Sequence, residues 1–417
     1  MTALPADVDL TLVSRRPARL AESTIRAVTA GGVPIASRVA GPVRISVVVV
    51  TFNGLVFTRM CLSSVLGNTT EPGYELIVVD NASTDGTAEY LAAVVAENPH
   101  VRVVRNATNR GFAAANNQGL ALAAGDVFVL LNNDTIVPPG WLATLTRHLA
   151  DPAVGLVGPV TNRIGNEAEI ETDYATYGQM LDFAERTRTE NAGRGFDIPT
   201  PCMFCLALRR DAYDRIGPLD ERFAVGLLED DDYAARARRA GYRLVCAEDA
   251  FVHHFGEASF GDLVPTGEYG RLLDANKRRF AEKWGTAWTP YARRPGRSYA
   301  ELKAAVRRGV ERLVPEGATV AVISKGDDEL TDLGRRTAWH FPQDRDGGYA
   351  GHYPADSAAA VAELESVRAA GCRYLVIPGR SFWWLDHYAG LRRHLDDRCR
   401  EVARDANVAI YDIAPPA

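Results

Sequence analysis

A chain of 417 residues, 47% hydrophobic and 24% charged, has an ordinary globular composition and is long enough for two or three domains with cores of their own. Its net charge of −6 mixes 47 basic with 53 acidic residues, which excludes a dedicated nucleic-acid surface but not a phosphate-bearing small ligand. The six cysteines are scattered, so a reducing, cytoplasmic setting is expected. No apolar run approaches the roughly 18–20 residues of a membrane span. The N-terminus lacks a charged start followed by an apolar core, so no secretory signal is read. Peripheral contact with the inner face of a membrane stays open.

Residues 1–43 have no clear period and carry four prolines, which predicts a loosely docked extension with VDLTLV as a candidate edge strand. ISVVVVTFNG, from Ile45, reads as a central strand and a turn, followed by a helix over about Leu55 to Leu66. Tyr74 to Asp80 is the second strand. DNASTDGT then offers Ser83 or Thr84 as a helix cap. Val101 to Asn106 is the third strand, and NRGFAAANNQGLALAAG is a turn and a helix ending at Gly125. VFVLLNND, Val127 to Asp134, is the fourth: an apolar run that ends in Asn132, Asn133 and Asp134. This alternation predicts a parallel sheet covered on both faces.

Thr51-Phe52-Asn53, Asp80-Asn81, Asn109-Arg110-Gly111 and Asn132 to Asp134 all fall on one edge of that sheet. Turn chemistry accounts for any one of them. Four on the edge where open α/β sheets bind ligands points to a site.

Pro138-Pro139-Gly140 breaks the chain, Trp141 to Leu149 reads as a helix and Val154 to Val160 as a short strand. Residues 161–195 are polar and irregular around a helix near Tyr177 to Arg188, a place for specificity. CMFCLALRR reads as a strand, with Cys202 and Cys205 as core residues rather than a zinc pair. GLLEDDDYAARARRAG opens a helix on four acids and closes it at Gly241. An acidic helix start is the plain reading. A strand over Tyr242 to Cys246 leads to His253 and His254, two histidines near acids, which raises metal binding.

Prolines and a glycine across residues 290–315, with an amphipathic helix over Tyr299 to Leu313, mark a boundary. Residues 316–417 read as a small α/β unit, with strands at ATVAVIS, RYLVIPG and VAIYDI and helices at SAAAVAELESVRAAG and LRRHLDDRCREVARD. Its long loop, His340 to Ser357, holds Gly347-Gly348 but neither a GxGxxG nor a GxxxxGK[ST] motif.

Taken in order, ISVVVVTFNG, VVDNASTDGT, NRGFAAANNQG, LLNNDT, GPLDERF, EDDDYAARARRAGYRL and HHFGEAS resemble an inverting family 2 glycosyltransferase of the GT-A fold (a Rossmann-like nucleotide-diphospho-sugar transferase), close to the rhamnosyltransferase-like branch. The resemblance covers residues 44–290. The C-terminal unit is similar to a small α/β domain found fused to such enzymes. The resemblance implies that Thr51, Phe52 and Asn53 line the base. It implies Asp80 at the base or ribose with Asn81 and Asp85 nearby, and Asn109, Gly111 and Phe112 near the ribose or diphosphate. Asn132, Asn133 and Asp134 occupy the family's DxD position, with Asp134 its one acid. Glu229 and Asp230 match the motif where the acceptor's base lies, and His253 or His254 matches a late histidine that completes a metal site.

The chemistry fits these implied roles. A nucleotide diphosphate leaves readily only when its charge is neutralised, which Mg2+ or Mn2+ does as a Lewis acid. Such ions are often held by one or two carboxylates and the substrate's own phosphates. A hydroxyl acceptor attacking the opposite face of the sugar needs a general base, here Asp230 with Glu229 in reserve. The expected partners are therefore a UDP- or dTDP-sugar and a glycan, lipid-linked or small-molecule acceptor. A nucleotidyltransferase is a rival, but TFNGLVFTRM lacks a glycine- and arginine-rich phosphate loop. A non-catalytic sugar-nucleotide-binding protein is another, against which the acids at 229–232 argue.

Overall fold

The computed structural model describes residues 4–15, 17–36, 42–70, 73–256, 263–264, 266–289, 297–344, 348–350, 354–405 and 407–414. The chain divides into two units, Met1–Arg294 and Pro295–Ala417. Among the described residues no helix is long and apolar enough to cross a membrane.

In the first unit, strands and helices alternate: β1 (Ile45–Thr51), α1 (Leu55–Asn68), β2 (Tyr74–Asp80), α2 (Thr87–Glu97), β3 (Val101–Arg105), α3 (Phe112–Leu122) and β4 (Val127–Asn132). Residues of β1 alternate between two cores, as a period of two requires. Val48 packs with Ile77, Leu130 and Met60 on one face. Val47 and Val49 pack with Leu76, Leu62 and Val65 on the other. All three valines are fully buried. At roughly 1.5–3 kcal/mol for each such side chain, a one-residue slip of register is strongly disfavoured.

Beyond β4 come β5 (Thr135–Ile136), β6 (Val154–Val160), β7 (Gly195–Asp197), β8 (Cys205–Arg209), α4 (Glu229–Arg239), β9 (Arg243–Phe251), β10 (His253–His254) and α5 (Glu268–Trp284). The main sheet has the order β3-β2-β1-β4-β8-β6-β9-β7. Strands β1 to β4 are mutually parallel. The parallel arrangement expected of these four strands is present, and the sheet continues into strands of the other sense: β8 runs antiparallel to β4 and β6, and β7 antiparallel to β9. Two-sided burial gives an antiparallel insert the same apolar run as a parallel strand, so periodicity does not separate them. The strand order reverses between β1 and β4, a topological switch point. Strands β5 and β10 form a separate antiparallel pair.

The N-terminal segment also differs from the loose extension expected. Leu12–Arg15 pairs with Ala18–Leu20, a helix covers Glu22–Ala30, and Leu4, Val8, Leu10 and Leu20 are buried in the core. These apolar residues are spaced irregularly, so no period announces them.

The second unit, described by itself, holds a five-stranded sheet in the order Thr337–His340, Thr319–Val322, Tyr374–Pro378, Val408–Asp412, Arg400–Arg404. The first three are parallel and the last two antiparallel. Here the helix expected over LRRHLDDRCREVARD ends at Arg398, and its second half is an edge strand. The charged, half-exposed face of that strand mimics a helical surface. Gly347 of the long loop lies outside the described residues, as do Glu257, Ala258 and Ser259 of the HHFGEAS stretch.

Candidate functional site

A cavity of about 440 Å³ lies at the switch point. Its wall includes Phe52, Asn81, Asn109, Phe112 and the whole Asn132-Asn133-Asp134 tip, together with His254.

The polar residues around it are held by one another. Thr51 is fully buried, with its hydroxyl 2.9 Å from that of Thr58. Asn133 Nδ2 donates to both hydroxyls, at 3.2 and 3.0 Å, and so ties the β4 tip to the end of β1. Asn53 takes a left-handed φ of 55° and joins the β2 loop, donating its N–H to Ser83 Oγ at 2.8 Å and accepting from Thr84 N at 2.8 Å. Asp80 Oδ1 accepts the N–H of Ser83 at 3.0 Å. Asn81 is saturated: its Nδ2 donates to Asn109 Oδ1 at 2.7 Å and Gly111 O at 3.3 Å, and its Oδ1 accepts from Asn106 Nδ2 at 3.0 Å and Arg110 N at 2.9 Å. It is the clasp of the 106–111 loop.

Asp85 stands apart from the role the resemblance gave it. Its carboxylate accepts from Leu55 N at 2.8 Å and from Thr87 N and Oγ1 at 3.2 and 2.6 Å. Both oxygens therefore serve the starts of α1 and α2, where a carboxylate is favoured by the helix dipole. Asp80 and Asp85 are not part of the cavity wall.

The pairing of β10 with β5 sets the two histidines apart. Neighbours on a strand face opposite ways. His254 Nε2 lies 3.3 Å from Asp134 Oδ1, and the ring stacks on Phe204 at 4.7 Å. Its Nδ1 lies 2.9 Å from the Arg163 carbonyl oxygen and donates to it. Nδ1 therefore carries a hydrogen and Nε2 is the nitrogen that faces the carboxylate, the placement of a metal-ligating histidine braced by its other nitrogen. His253 is turned the other way, with Nδ1 2.6 Å from the Tyr174 hydroxyl, and burial pushes its pKa down to about 3. Of the two histidines expected at a metal, the structure brings only His254 to Asp134. Asn132 Oδ1, also on the cavity wall, is buried without a hydrogen-bond partner. A carboxylate, an imidazole nitrogen and an unsatisfied amide oxygen make a donor set that fits a divalent cation completed by phosphate oxygens. Among the described residues no group of three His, Cys, Asp or Glu is placed to hold a metal ion.

Glu229 and Asp230 open α4, after left-handed Leu228. Glu229 is buried and its Oε2 has no partner. Burial pushes its pKa up to about 7, with its backbone N–H and the nearby Asp231 as smaller influences. Asp230 keeps some solvent contact. Burial raises its pKa too, followed by repulsion from Glu229, while Cys202 hydrogen-bonds it. Neither acid lines the cavity, though Leu227 just before them does. Cys202, read as a core residue, thus touches the acidic pair as well. Nothing in the sequence marked Arg163 or Tyr174, because their roles depend on long-range packing.

Residues 46–217 match the sequence model of the family described as glycosyl transferase family 2. This segment is a family 2 glycosyltransferase domain. The O-antigen biosynthesis protein RfbC of Myxococcus xanthus is 26% identical over 317 residues, 71% of this chain and 23% of that protein. The pre-mycofactocin glycosyltransferase of Mycobacterium tuberculosis is 32% identical over 198 residues, 46% of this chain and 40% of that protein. The chain therefore spans well under half the length of these curated relatives. A mannosyltransferase of Pyrobaculum calidifontis, solved with GDP-Man and Mn2+, is 20% identical, covers 69% of this chain and 86% of its own, and superposes with a TM-score of 0.40. The switch-point cavity, the parallel β1 to β4 and the antiparallel insert of the glycosyltransferase domain are those of a GT-A fold.

Proposed function

We propose that the protein transfers a sugar, with inversion, from a UDP- or dTDP-sugar to a hydroxyl acceptor in cytoplasmic glycan or polysaccharide synthesis. The observation that carries this reading is the facing of Asp134 and His254 Nε2, 3.3 Å apart, on the wall of the switch-point cavity. The relatives named for O-antigen biosynthesis and for pre-mycofactocin glycosylation support a glycan or small-molecule acceptor.

In this reading Phe52, with Asn81 and Asn109 behind it, receives the nucleoside, and Thr51 and Asn53 hold that wall in place. Gly111 and Phe112 bring backbone to the ribose and diphosphate. Asp134 and His254 hold Mg2+ or Mn2+, with Asn132 adding its free oxygen. When bound, the ion supplies charge neutralisation of the departing diphosphate. Asp230 takes the proton of the attacking hydroxyl. Its raised pKa keeps it basic enough to do so near neutral pH, and its solvent contact leaves it reachable, which Glu229 is not. A single base and no protein nucleophile give inversion.

The test is release of UDP or dTDP from a panel of nucleotide sugars with Mn2+, and again with EDTA. Metal-dependent release supports the reading. Tight nucleotide binding with no turnover on any donor and acceptor overturns it in favour of a binding protein.

A further inference from the structure

Between Phe223 and Glu229 the backbone takes left-handed values at three residues with side chains: Ala224 (φ 56°), Leu227 (φ 76°) and Leu228 (φ 71°). Such conformations persist only where the surroundings hold them. This loop has two neighbours that matter. On the donor side, Val225 and Leu227 line the cavity, and Val225 O accepts the N–H of Phe112 at 3.0 Å. On the other side it runs directly into Glu229 and Asp230. Its shape therefore sets where the acidic pair stands relative to the cavity.

One side chain holds it. Asn276 of α5 is fully buried. Its Nδ2 donates to the carbonyl oxygens of Phe223, Gly226 and Leu227 at 3.0, 2.7 and 2.8 Å. Two amide hydrogens serve three carbonyls, so one is shared. Arg279 Nη1 donates to Asn276 Oδ1 at 2.6 Å, which leaves no choice of amide orientation. The next turns of α5 grip α4 itself. Asp232, fully buried, receives Trp284 Nε1 at 2.9 Å, Lys283 Nζ at 2.6 Å and Arg236 Nε at 3.0 Å. The partners of this amide are backbone carbonyls, which no side-chain change removes, so an apolar residue here would leave buried acceptors unpaired.

We propose that Asn276, oriented by Arg279, is a positioning residue that holds the 223–228 loop and thereby sets the Glu229–Asp230 pair for proton abstraction. This rests on the transferase reading above. It acts through the loop and touches no substrate.

The test uses the full chain carrying Asn276→Ala, and Arg279→Met in parallel, with the donor that wild type turns over best. Misplacing a reacting group by about 1 Å costs roughly 100-fold in rate, and that is the expected fall in kcat for Asn276→Ala, with UDP–Mn2+ affinity by calorimetry unchanged. Arg279→Met gives a smaller loss in the same direction and carries the test alone if Asn276→Ala does not fold. A second readout needs no turnover: side-chain 13C-carboxyl NMR follows Glu229, whose pKa burial pushes up to about 7. In the variants it titrates lower as water reaches the loosened loop. Unchanged kcat and an unchanged Glu229 titration in folded variants, with only a lower Tm, would make Asn276 a brace and overturn the proposal. If wild type turns over no donor, the transferase reading fails, and the titration alone decides whether Asn276 positions the pair.

Discussion

Asp134 and His254 are 120 residues apart in the chain, yet Asp134 Oδ1 and His254 Nε2 lie 3.3 Å from each other. What joins them is the shortest sheet in the domain. β5 begins one residue after Asp134, and β10 ends at His254, whose register partner is Thr135. The N–H of Phe255 donates back to Asp134 O at 2.9 Å and closes the corner. The main chain of Asp134 is thus fixed by the corner, and the imidazole by Arg163 O.

That preorganisation predicts an asymmetric pair of variants. Asp134→Asn keeps the size but loses the charge that attracts the cation. A Lewis acid contributes several kcal/mol to such a reaction, so turnover falls at least roughly 100-fold. His254→Gln loses a neutral ligand and a smaller share. Mn2+ titration followed by EPR, in the presence of UDP, separates the two. Equal Mn2+ affinity in wild type and Asp134→Asn would falsify the metal assignment.

The 106–111 loop predicts a lesion from strain and steric clash. Gly111 has φ 85°, and a Cβ there would stand 2.1 Å from Ala224 O. The obstacle is backbone already held from the other side, so it does not yield. Gly111→Ala should lower stability by at least about 2 kcal/mol, combining left-handed strain with the clash. A urea midpoint within error of wild type would show that the 223–228 loop moves freely, contrary to its bonding.

How much of this was legible beforehand follows from how each feature is encoded. The four strands β1 to β4 and their polar tips are written in local runs, and Asn132 to Asp134, Asn81 and Asn109 were visible as a sheet edge. Asp85 was visible too, but its position before Thr87 reads equally well as a helix start, and both its oxygens are spent there. The two histidines could not be separated in the sequence, because the face each takes depends on which residue of β5 it opposes. Asn276 gave no signal at all: an asparagine inside a charged helix looks like surface until the three carbonyls it meets are known.

The acidic pair predicts an unusual dependence of stability on pH. Glu229 has an ordinary carboxylate pKa near 4.5 when unfolded and about 7 when folded. Between those values the folded state holds a proton that the unfolded state has lost. The folded form is therefore favoured by this group at low pH, and the advantage is lost as pH rises through 4.5 towards 7. The full loss is about 3 kcal/mol. Glu229→Gln cannot ionise and should be free of it. Urea melts at acid and at mildly alkaline pH should show wild type weakening on the alkaline side relative to the variant. Parallel pH curves for the two would mean that Glu229 is hydrated.

Asp230 carries the sharpest claim about chemistry. If it removes the acceptor's proton, Asp230→Asn leaves the charge-neutralising and nucleoside-binding groups intact and removes only the base. Positioned general bases contribute roughly 100- to 10,000-fold, so kcat should fall within that range while donor affinity holds. The pH–rate profile should lose its acidic limb as well, because that limb reports ionisation of the base. Because burial raises Asp230 and repulsion from Glu229 adds to it, the limb in wild type should lie well above the usual aspartate range. Glu229→Gln removes that repulsion and so should move the limb to lower pH without abolishing turnover. A variant series in which Glu229→Gln abolishes transfer and Asp230→Asn does not would reverse the two roles.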